Sequence, residues 1–220
     1  DNKCAIHASF QSNDSWPYDW SEFCYQFQTK EELVTAVNLW ISDSASAVAA
    51  YGHISSWDVS LITDMANLFY DKSTFNDNIN NWDVSNVTTM SHMFVNTSSF
   101  DQDISNWNVS SVTSMQAMFK NTDAFNQDLS SWDVSNVIHM NYMFETNNGF
   151  NGAISSWDVS SVVGMHKMFI SAASFDQDIS NWDVSNVTNM HGVFDGASAL
   201  SDENRCAIHS SLFSANENWP

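Results

Sequence analysis

Basic residues are scarce in this sequence. Only 6 of its 220 residues are Lys or Arg, against 26 Asp and Glu, which gives a formal net charge of −20. A surface this negative repels phosphate backbones, so we expect no nucleic-acid binding. Anionic membrane surfaces are disfavoured for the same reason, whereas cations and cationic partners remain compatible with the charge.

Long apolar runs are also absent. No stretch approaches the ~20 apolar residues that a membrane-spanning helix needs, so we expect no membrane insertion. The sequence opens on Asp1 without a visible signal peptide, which is typical of a mature or excised piece. Its 43% hydrophobic and 14% aromatic content nevertheless predicts a packed core.

Motifs that carry chemistry are the third absence. The sequence has no Gly-rich phosphate loop, no Cys-x-x-Cys pair and no recognisable order of Ser, His and Asp for nucleophilic catalysis. Its acidic residues recur periodically instead of standing out from the pattern. We therefore predict that the protein is not an enzyme.

What the sequence does contain is a 25-residue period. A fixed period of this length is typical of a solenoid, in which each unit buries its apolar face against its neighbours. The period is marked by six tryptophans: Trp57, Trp82, Trp107, Trp132, Trp157 and Trp182.

Each unit combines two apolar patterns. Around Trp107, apolar and polar residues alternate as in a short strand. Val112, Met115 and Met118 instead follow the spacing of one or two turns of α- or 3₁₀-helix. Together these patterns predict an α/β repeat solenoid, a right-handed leucine-rich-repeat-like coil of six 25-residue units. A parallel β-helix is the alternative, although the Met-x-x-Met-Phe block is a poor strand.

The chain divides into four segments. Residues 1–28 form an aromatic, Cys-containing terminal segment, and residues 29–53 a helical N-cap that begins with a capping box at Thr29 and Glu32. The solenoid covers residues 54–200. Residues 201–220 form a C-terminal cap segment homologous to residues 1–17, which indicates either a tandem of larger modules or related ends in head-to-tail assembly.

Several residues are candidates for covalent modification. Cys4 and Cys24 could close a disulfide in an oxidising compartment. Cys206 lies roughly 25–30 Å away if each unit rises ~5 Å, so we expect a free or intermolecular thiol there. Four Asn-x-Ser/Thr sequons are candidate glycosylation sites if the protein is secreted by a eukaryote: Asn13, Asn86, Asn96 and Asn186.

Equivalent positions of a solenoid stack into rows. One acidic row could share calcium, the cofactor that the charge best fits, although turn residues that accept backbone N–H bonds are the alternative. This row consists of Asp58, Asp83, Asp133, Asp158 and Asp183. A second polar set is the predicted binding surface: Asp103, Asp128, Asp178, Gln102, Gln127 and Gln177. The row from Met65 to Met190 is predicted to fill the core.

The motif Trp-Asp-Val-Ser-Asn-Val-Thr-x-Met-x-x-Met-Phe, followed by Phe-Asn-Gln-Asp-Ile-Ser, resembles the surface repeats of BspA-like leucine-rich-repeat proteins, also called lipoprotein-associated repeats. The resemblance covers about residues 54–200. It implies an extracellular or cell-surface protein for adhesion or interaction, with no catalytic residues to transfer.

We therefore expect a non-catalytic extracellular or cell-surface scaffold for adhesion or recognition of a protein or glycan. One alternative is a structural subunit whose copies join end to end in an extracellular filament. The other is a calcium-dependent interaction module.

Overall fold

The computed structural model describes residues 25–215. Helix α1 spans Lys30–Ser42, α2 spans Ser44–Tyr51 and α3 spans Asp202–Ala215, and a short 3₁₀-helix covers Ile54–Ser56. Between the 3₁₀-helix and α3 the chain consists of turns, extended pieces and single bridges, with no named strand among the described residues. None of the helices in residues 25–215 is long and apolar enough to cross a bilayer.

Helix α1 begins where its capping residues lie. The Thr29 hydroxyl accepts the N–H of Glu32 at 3.2 Å, while the Glu32 carboxylate accepts the N–H of Gln28 at 2.9 Å. This satisfies two N–H groups that a bare helix end would leave unpaired. The apolar face of α1, which includes Leu33 and Trp40, is buried against the first coil.

The 25-residue period appears as stacked coils. Thr88 donates its N–H to the carbonyl of Thr63 in the preceding coil at 2.8 Å, and Met90 donates to the carbonyl of Ser114 in the next coil at 2.9 Å. One isolated parallel bridge joins each neighbouring pair of coils. The bridges run through Asp64, Thr89, Ser114, His139, Gly164 and Asn189.

The predicted leucine-rich-repeat-like unit is wrong, and so is the parallel β-helix alternative. Residues 25–215 contain no sheet, because neighbouring coils pair through a single bridge before the backbone turns away. The predicted helical turn is also missing. In the Met-x-x-Met-Phe block, Met90, His92 and Phe94 donate to carbonyls of the next coil at 2.8–2.9 Å, instead of continuing a helix.

This block is a run of consecutive turns that contains a residue with positive φ. Met93 donates to Met90 at 3.1 Å within the coil, and His92, between them, has φ 60°. A positive φ at the third residue is the requirement of a type II turn, which normally favours Gly or Asn. Ten non-glycine residues adopt it: Asn67, Asp71, His92, Asn96, Ala117, Asn121, Tyr142, Thr146, Lys167 and Ser171.

The core is a set of ladders along the stack. Phe119 stacks on Phe94 at 5.7 Å and on Phe144 at 5.6 Å between ring centroids. From Trp82 to Trp182, the indole N–H of each repeat tryptophan reaches a carbonyl of the preceding coil, as Trp132 does to Ile104 at 3.0 Å. The predicted core role of the methionine row is confirmed, since these side chains are buried from Met65 through Met190.

Helices cover both ends of the described stack. At the first coil, the Trp57 indole donates at 3.0 Å to the carbonyl of Gly52, which ends α2 with φ 78°. At the last coil, Ile208 and Leu212 of α3 are buried in the same core cluster as the coils. The described ends are therefore closed by helices and not by bare coils.

Candidate functional site

The acidic row considered for calcium forms turns. The Oδ1 atoms of Asp83 and Asp158 accept the N–H of the serine two residues later at 3.0 Å, and Asp133, Asp183 and Asp58 do the same at 3.0–3.1 Å. Asn108 occupies the same row and makes the same bond at 3.2 Å. The turn therefore requires an acceptor oxygen and not a charge.

The acidic residues of the predicted binding surface are held in the same way. Asp103, Asp128 and Asp178 accept the N–H of the serine two residues later at 2.9, 2.8 and 2.9 Å. Asn78 makes the equivalent bond to the N–H of Asn80 at 2.9 Å. The Ser105 hydroxyl and N–H lower the pKa of Asp103, and the N–H and hydroxyl of Ser130 lower that of Asp128.

The glutamines of that surface clamp neighbouring coils together. Gln127 donates to the Asp101 carboxylate at 2.7 Å, and Gln102 donates to the Asn76 side chain at 2.9 Å. Gln177 donates to the Asn151 side chain at 3.0 Å. Part of the polar capacity of this predicted surface therefore serves the fold.

In the described part of the chain, no three His, Cys, Asp or Glu side chains group together as a bound metal would require. The acidic row from Asp58 to Asp183 is spread along the stack, with each carboxylate engaged in its own turn. Residues 25–215 therefore offer no clustered set of side chains that could bind calcium.

The covalent candidates fall into different environments. Cys4, Cys24 and Asn13 lie outside the described residues. Cys206 is an exposed free thiol on α3. Asn86 and Asn186 are exposed and each donates one amide N–H to a serine carbonyl of the preceding coil, at 2.9 and 2.8 Å.

Asn96 differs from the two exposed sequons because its amide is bonded on both sides. Its Nδ2 donates to the Asp71 carboxylate at 2.6 Å, and its Oδ1 accepts from Asn121 at 2.7 Å. Its φ is 58°. This amide belongs to a side-chain ladder between coils, so it is a poorer candidate for modification than Asn86 or Asn186.

Charge is segregated among the sides of the coils. Each Met-x-x-Met-Phe block lies within a nine-residue segment, the first of which is 64–72 and the last 189–197. Outside these six segments, the repeat region contains twelve Asp and no basic or His residue. We call the surface of the segments the histidine–lysine face, defined by Lys72, Lys120, Lys167, His92, His139, His166 and His191. Sequence reasoning predicted none of this segregation, although the repeat register contains it.

Contacts on the histidine–lysine face involve neighbouring coils. Lys120 forms an ion pair with Glu145 at 2.8 Å and lies 5.7 Å from the centre of the Tyr142 ring. His166 packs edge-on against Tyr142, with ring centroids 5.1 Å apart. Partial burial, and then the nearby Lys120, lower the pKa of His92. Three lysines against four acidic residues make this face nearly neutral within an acidic protein.

A second surface carries no charge at all. We call it the uncharged face, defined by residues 60–63 and their five equivalents, the last of which is 185–188. None of these 24 residues is Asp, Glu, Lys, Arg or His. Exposed positions flank a buried Val or Ile in every coil. The exposed rows are Leu61, Asn86, Ser111, Asn136, Ser161, Asn186 and Thr63, Thr88, Thr113, Ile138, Val163, Thr188.

Hydrogen bonds to the preceding coil fix the side chains of the uncharged face. The Thr88 and Thr113 hydroxyls donate to carbonyls at 3.0 and 3.1 Å, and Asn136 donates one amide N–H to Ser110 at 2.9 Å. A groove of about 510 Å³ crosses this face between Ser110 and Val163. Sequence analysis missed the face, and the available signal was the lack of charge around each Ser-x-Val-x segment.

The stacked coils and their regular rows define a tandem-repeat protein. A family model described as "Mycoplasma protein of unknown function, DUF285" matches residues 41–153 and 128–210, and the chain belongs to this family. The match confirms the predicted tandem repeat, and the likeness to BspA-like surface proteins in particular stays a prediction. No curated protein and no solved structure matches the chain.

Proposed function

We propose that this chain is a non-catalytic scaffold for recognition or adhesion at the cell surface or outside the cell, with an extracellular protein or glycan as its partner. The observation that supports the proposal is the uncharged face. A chain with 15% charged residues and a net charge of −20 keeps the two exposed rows of this face, twelve residues in six coils, free of charge.

Charge depletion is the compositional mark of an interface centre. On the acidic rows, exposed Asp keeps the surface hydrated, and each turn tolerates that charge. On the uncharged face, exposed Leu61, Ile138 and Val163 lie among Ser, Thr and Asn side chains, with 48%, 39% and 36% of their surface accessible. Solenoids typically bind partners along such extended lateral surfaces.

The arrangement of reactive groups favours recognition over catalysis. Catalytic sites bring an acid, a base or a nucleophile together in one cavity with shifted pKa values. Here the carboxylates of the repeats follow rows, and their lowered pKa values come from turn hydrogen bonds, as at Asp158 and Asp183. The extracellular setting is supported by the resemblance to surface repeats.

The helices at the two ends bear on the filament alternative. Because α1 and α2 cover the first coil and α3 covers the last, copies cannot join by continuing the coil-to-coil hydrogen bonds of the described stack. Assembly end to end would need separate helix contacts. The lateral surface is therefore the better candidate for partner binding.

A binding array tests the proposal. Labelled protein is applied to extracellular proteins and glycans, beside a variant with Ser111→Asp and Ser161→Asp, which adds two charges to the uncharged face. The matched control is Ser98→Asp with Ser198→Asp, at an exposed position where Asp123 occurs naturally. We expect binding that the first variant loses and the control keeps. Equal binding by all three proteins, or none by any, would count against the proposal.

A further inference from the structure

We infer that the uncharged face binds a neutral, extended polysaccharide that lies along the stack and contacts successive coils with successive sugars. The inference rests on the proposed recognition function and names its ligand class. It follows from the regularity of the face, the hydrogen-bonding groups it leaves available, and its lack of both charges and aromatic anchors.

The repeat of the face matches a repeating ligand. Equivalent rings in neighbouring coils lie 5.7, 5.6 and 5.6 Å apart from Phe94 through Phe119 and Phe144 to Phe169. Sugars of an extended polysaccharide follow one another at a similar interval. Each coil can therefore offer two exposed, uncharged side chains at the same two positions to the next sugar, which makes the contacts along the polymer additive.

The available groups suit sugar hydroxyls, which both donate and accept. The Thr113 hydroxyl uses its proton on the Thr88 carbonyl, so its lone pairs remain as acceptors. Asn136 uses one N–H on Ser110, so its second N–H and its carbonyl oxygen remain. Both side chains are already fixed by these bonds, which lowers the entropy lost on binding.

The apolar part of the face suits the C–H surfaces of sugar rings. Ile138 and Val163 continue the threonine row with exposed β-branched side chains, 39% and 36% accessible. They lie at the groove of about 510 Å³ that runs from Ser110 to Val163 across three coils. The groove is open to solvent and its lining comes from three successive coils, as an extended chain requires.

Charge selects a neutral polymer over an acidic one. Sulfate or carboxylate groups need Arg or Lys partners, and none occurs on this face. The net charge of −20 would repel a polyanion as well. A protein partner is favoured less, because interface hot spots are enriched in Trp, Tyr and Arg, and the face carries none of them.

Calorimetry with purified protein tests this inference. The probes are neutral β-linked gluco- and N-acetylglucosamine oligosaccharides of increasing length, with heparin as the polyanion. We expect affinity to rise with oligosaccharide length until the ligand spans the face, and to stay unchanged between low and high salt. Ser111→Asp with Ser161→Asp should weaken binding by about tenfold, or about 1.4 kcal/mol, whereas Ser98→Asp with Ser198→Asp should not. Circular dichroism melting confirms that both variants fold.

Four results would overturn the inference. Salt-sensitive binding of heparin alone would assign a polyanion, and concentration-dependent self-association lost in the Ser111/Ser161 variant would assign a second copy. Binding of extracellular proteins through the face, without binding of neutral polysaccharide, would reject the ligand class and leave the recognition function standing. Absence of any face-dependent binding would reject both.

Discussion

The acidic rows and the uncharged face belong to the same coils and differ in where their side-chain hydrogen bonds go. Asp133 accepts the N–H of Ser135, two residues later, at 3.1 Å, so this bond shapes a turn within one coil. Thr113 and Asn136 instead donate to the preceding coil at 3.1 and 2.9 Å. One region shapes coils and the other joins them. An acceptor oxygen, which Asp supplies, serves the first region. The second region uses donors where its side chains join coils, and it also accommodates apolar side chains such as Ile138 and Val163.

Both regions depend on the core, so a cavity in the core should destabilise both of them together. Phe119 is fully buried and stacks on Phe94, Phe125 and Phe144. We expect Phe119→Ala to lower the free energy of unfolding by ~3–5 kcal/mol, through lost burial and a cavity. Urea denaturation measures this. Tyr70→Ala, at an exposed position, is the control, and an equal effect in both variants would contradict the role of the ladder.

The side-chain hydrogen bonds that join neighbouring coils should contribute more to the free energy of unfolding where they are buried. Thr122 is fully buried and donates to the Phe94 carbonyl at 2.7 Å, so Thr122→Val should cost ~0.5–1.5 kcal/mol by removing this bond, while the carbonyl keeps the N–H of Thr97 at 3.0 Å. Thr113→Val should change the free energy of unfolding by less than ~0.5 kcal/mol, because Thr113 is an exposed residue and Val163 fills the same row position. Thermal melts of the two variants make the comparison, and a reversed order would refute it.

The hydrogen bonds that shape the acidic turns should make the stability of the fold depend on pH. The pKa values of Asp103, Asp128, Asp158 and Asp183 are lowered in the folded state, chiefly by hydrogen bonds from the serine two residues later. The unfolded chain then binds protons first, so these bonds stabilise the fold above the unfolded pKa of about 4 and are lost as pH falls below it.

Replacing all four Asp with Asn sharpens this test. Asn78 and Asn108 show that the amide keeps the turn. We expect the variant to melt near the parent temperature at neutral pH and to lose less stability between pH values of about 5 and 2. Melting temperature against pH measures both proteins. Parallel curves would mean that these carboxylates do not control acid unfolding.

The sequence predicted the repeat and its core well, because tryptophan and methionine positions recur without exception. It mispredicted the backbone of the Met-x-x-Met-Phe block. Val112, Met115 and Met118 have helical spacing, but a positive φ at Ala117 turns the chain and exchanges helix bonds for bonds to the next coil. Nothing in an alanine side chain signals that conformation. The Asp and Asn at positions 71, 96 and 121 were a usable signal, since Asx residues favour it.

The candidate site was harder to predict because its residues are not the reactive types that usually indicate a site. Asp and Gln attracted attention as possible ligands, and the structure assigns much of their bonding capacity to turns and clamps. The uncharged face has no conspicuous residue. It could be found from the sequence only by asking which repeat positions never carry charge, and exposure of those positions depends on the alternation that the structure shows.

The backbone hydrogen bonds of the Met-x-x-Met-Phe blocks give one side of the stack a net dipole. Met90, His92, Phe94 and Asn96 all donate forward, toward the C-terminal end, and the equivalent residues of the neighbouring coils repeat the pattern. Peptide dipoles aligned in this way add, as they do in a helix. This side of the stack therefore carries partial negative charge at its first coil and partial positive charge at its last coil. At the first coil, the Nζ atom of Lys30 lies 2.8 Å from the Oδ1 atom of Asp64. A longer array of the same repeats would be a polar rod with two distinguishable ends.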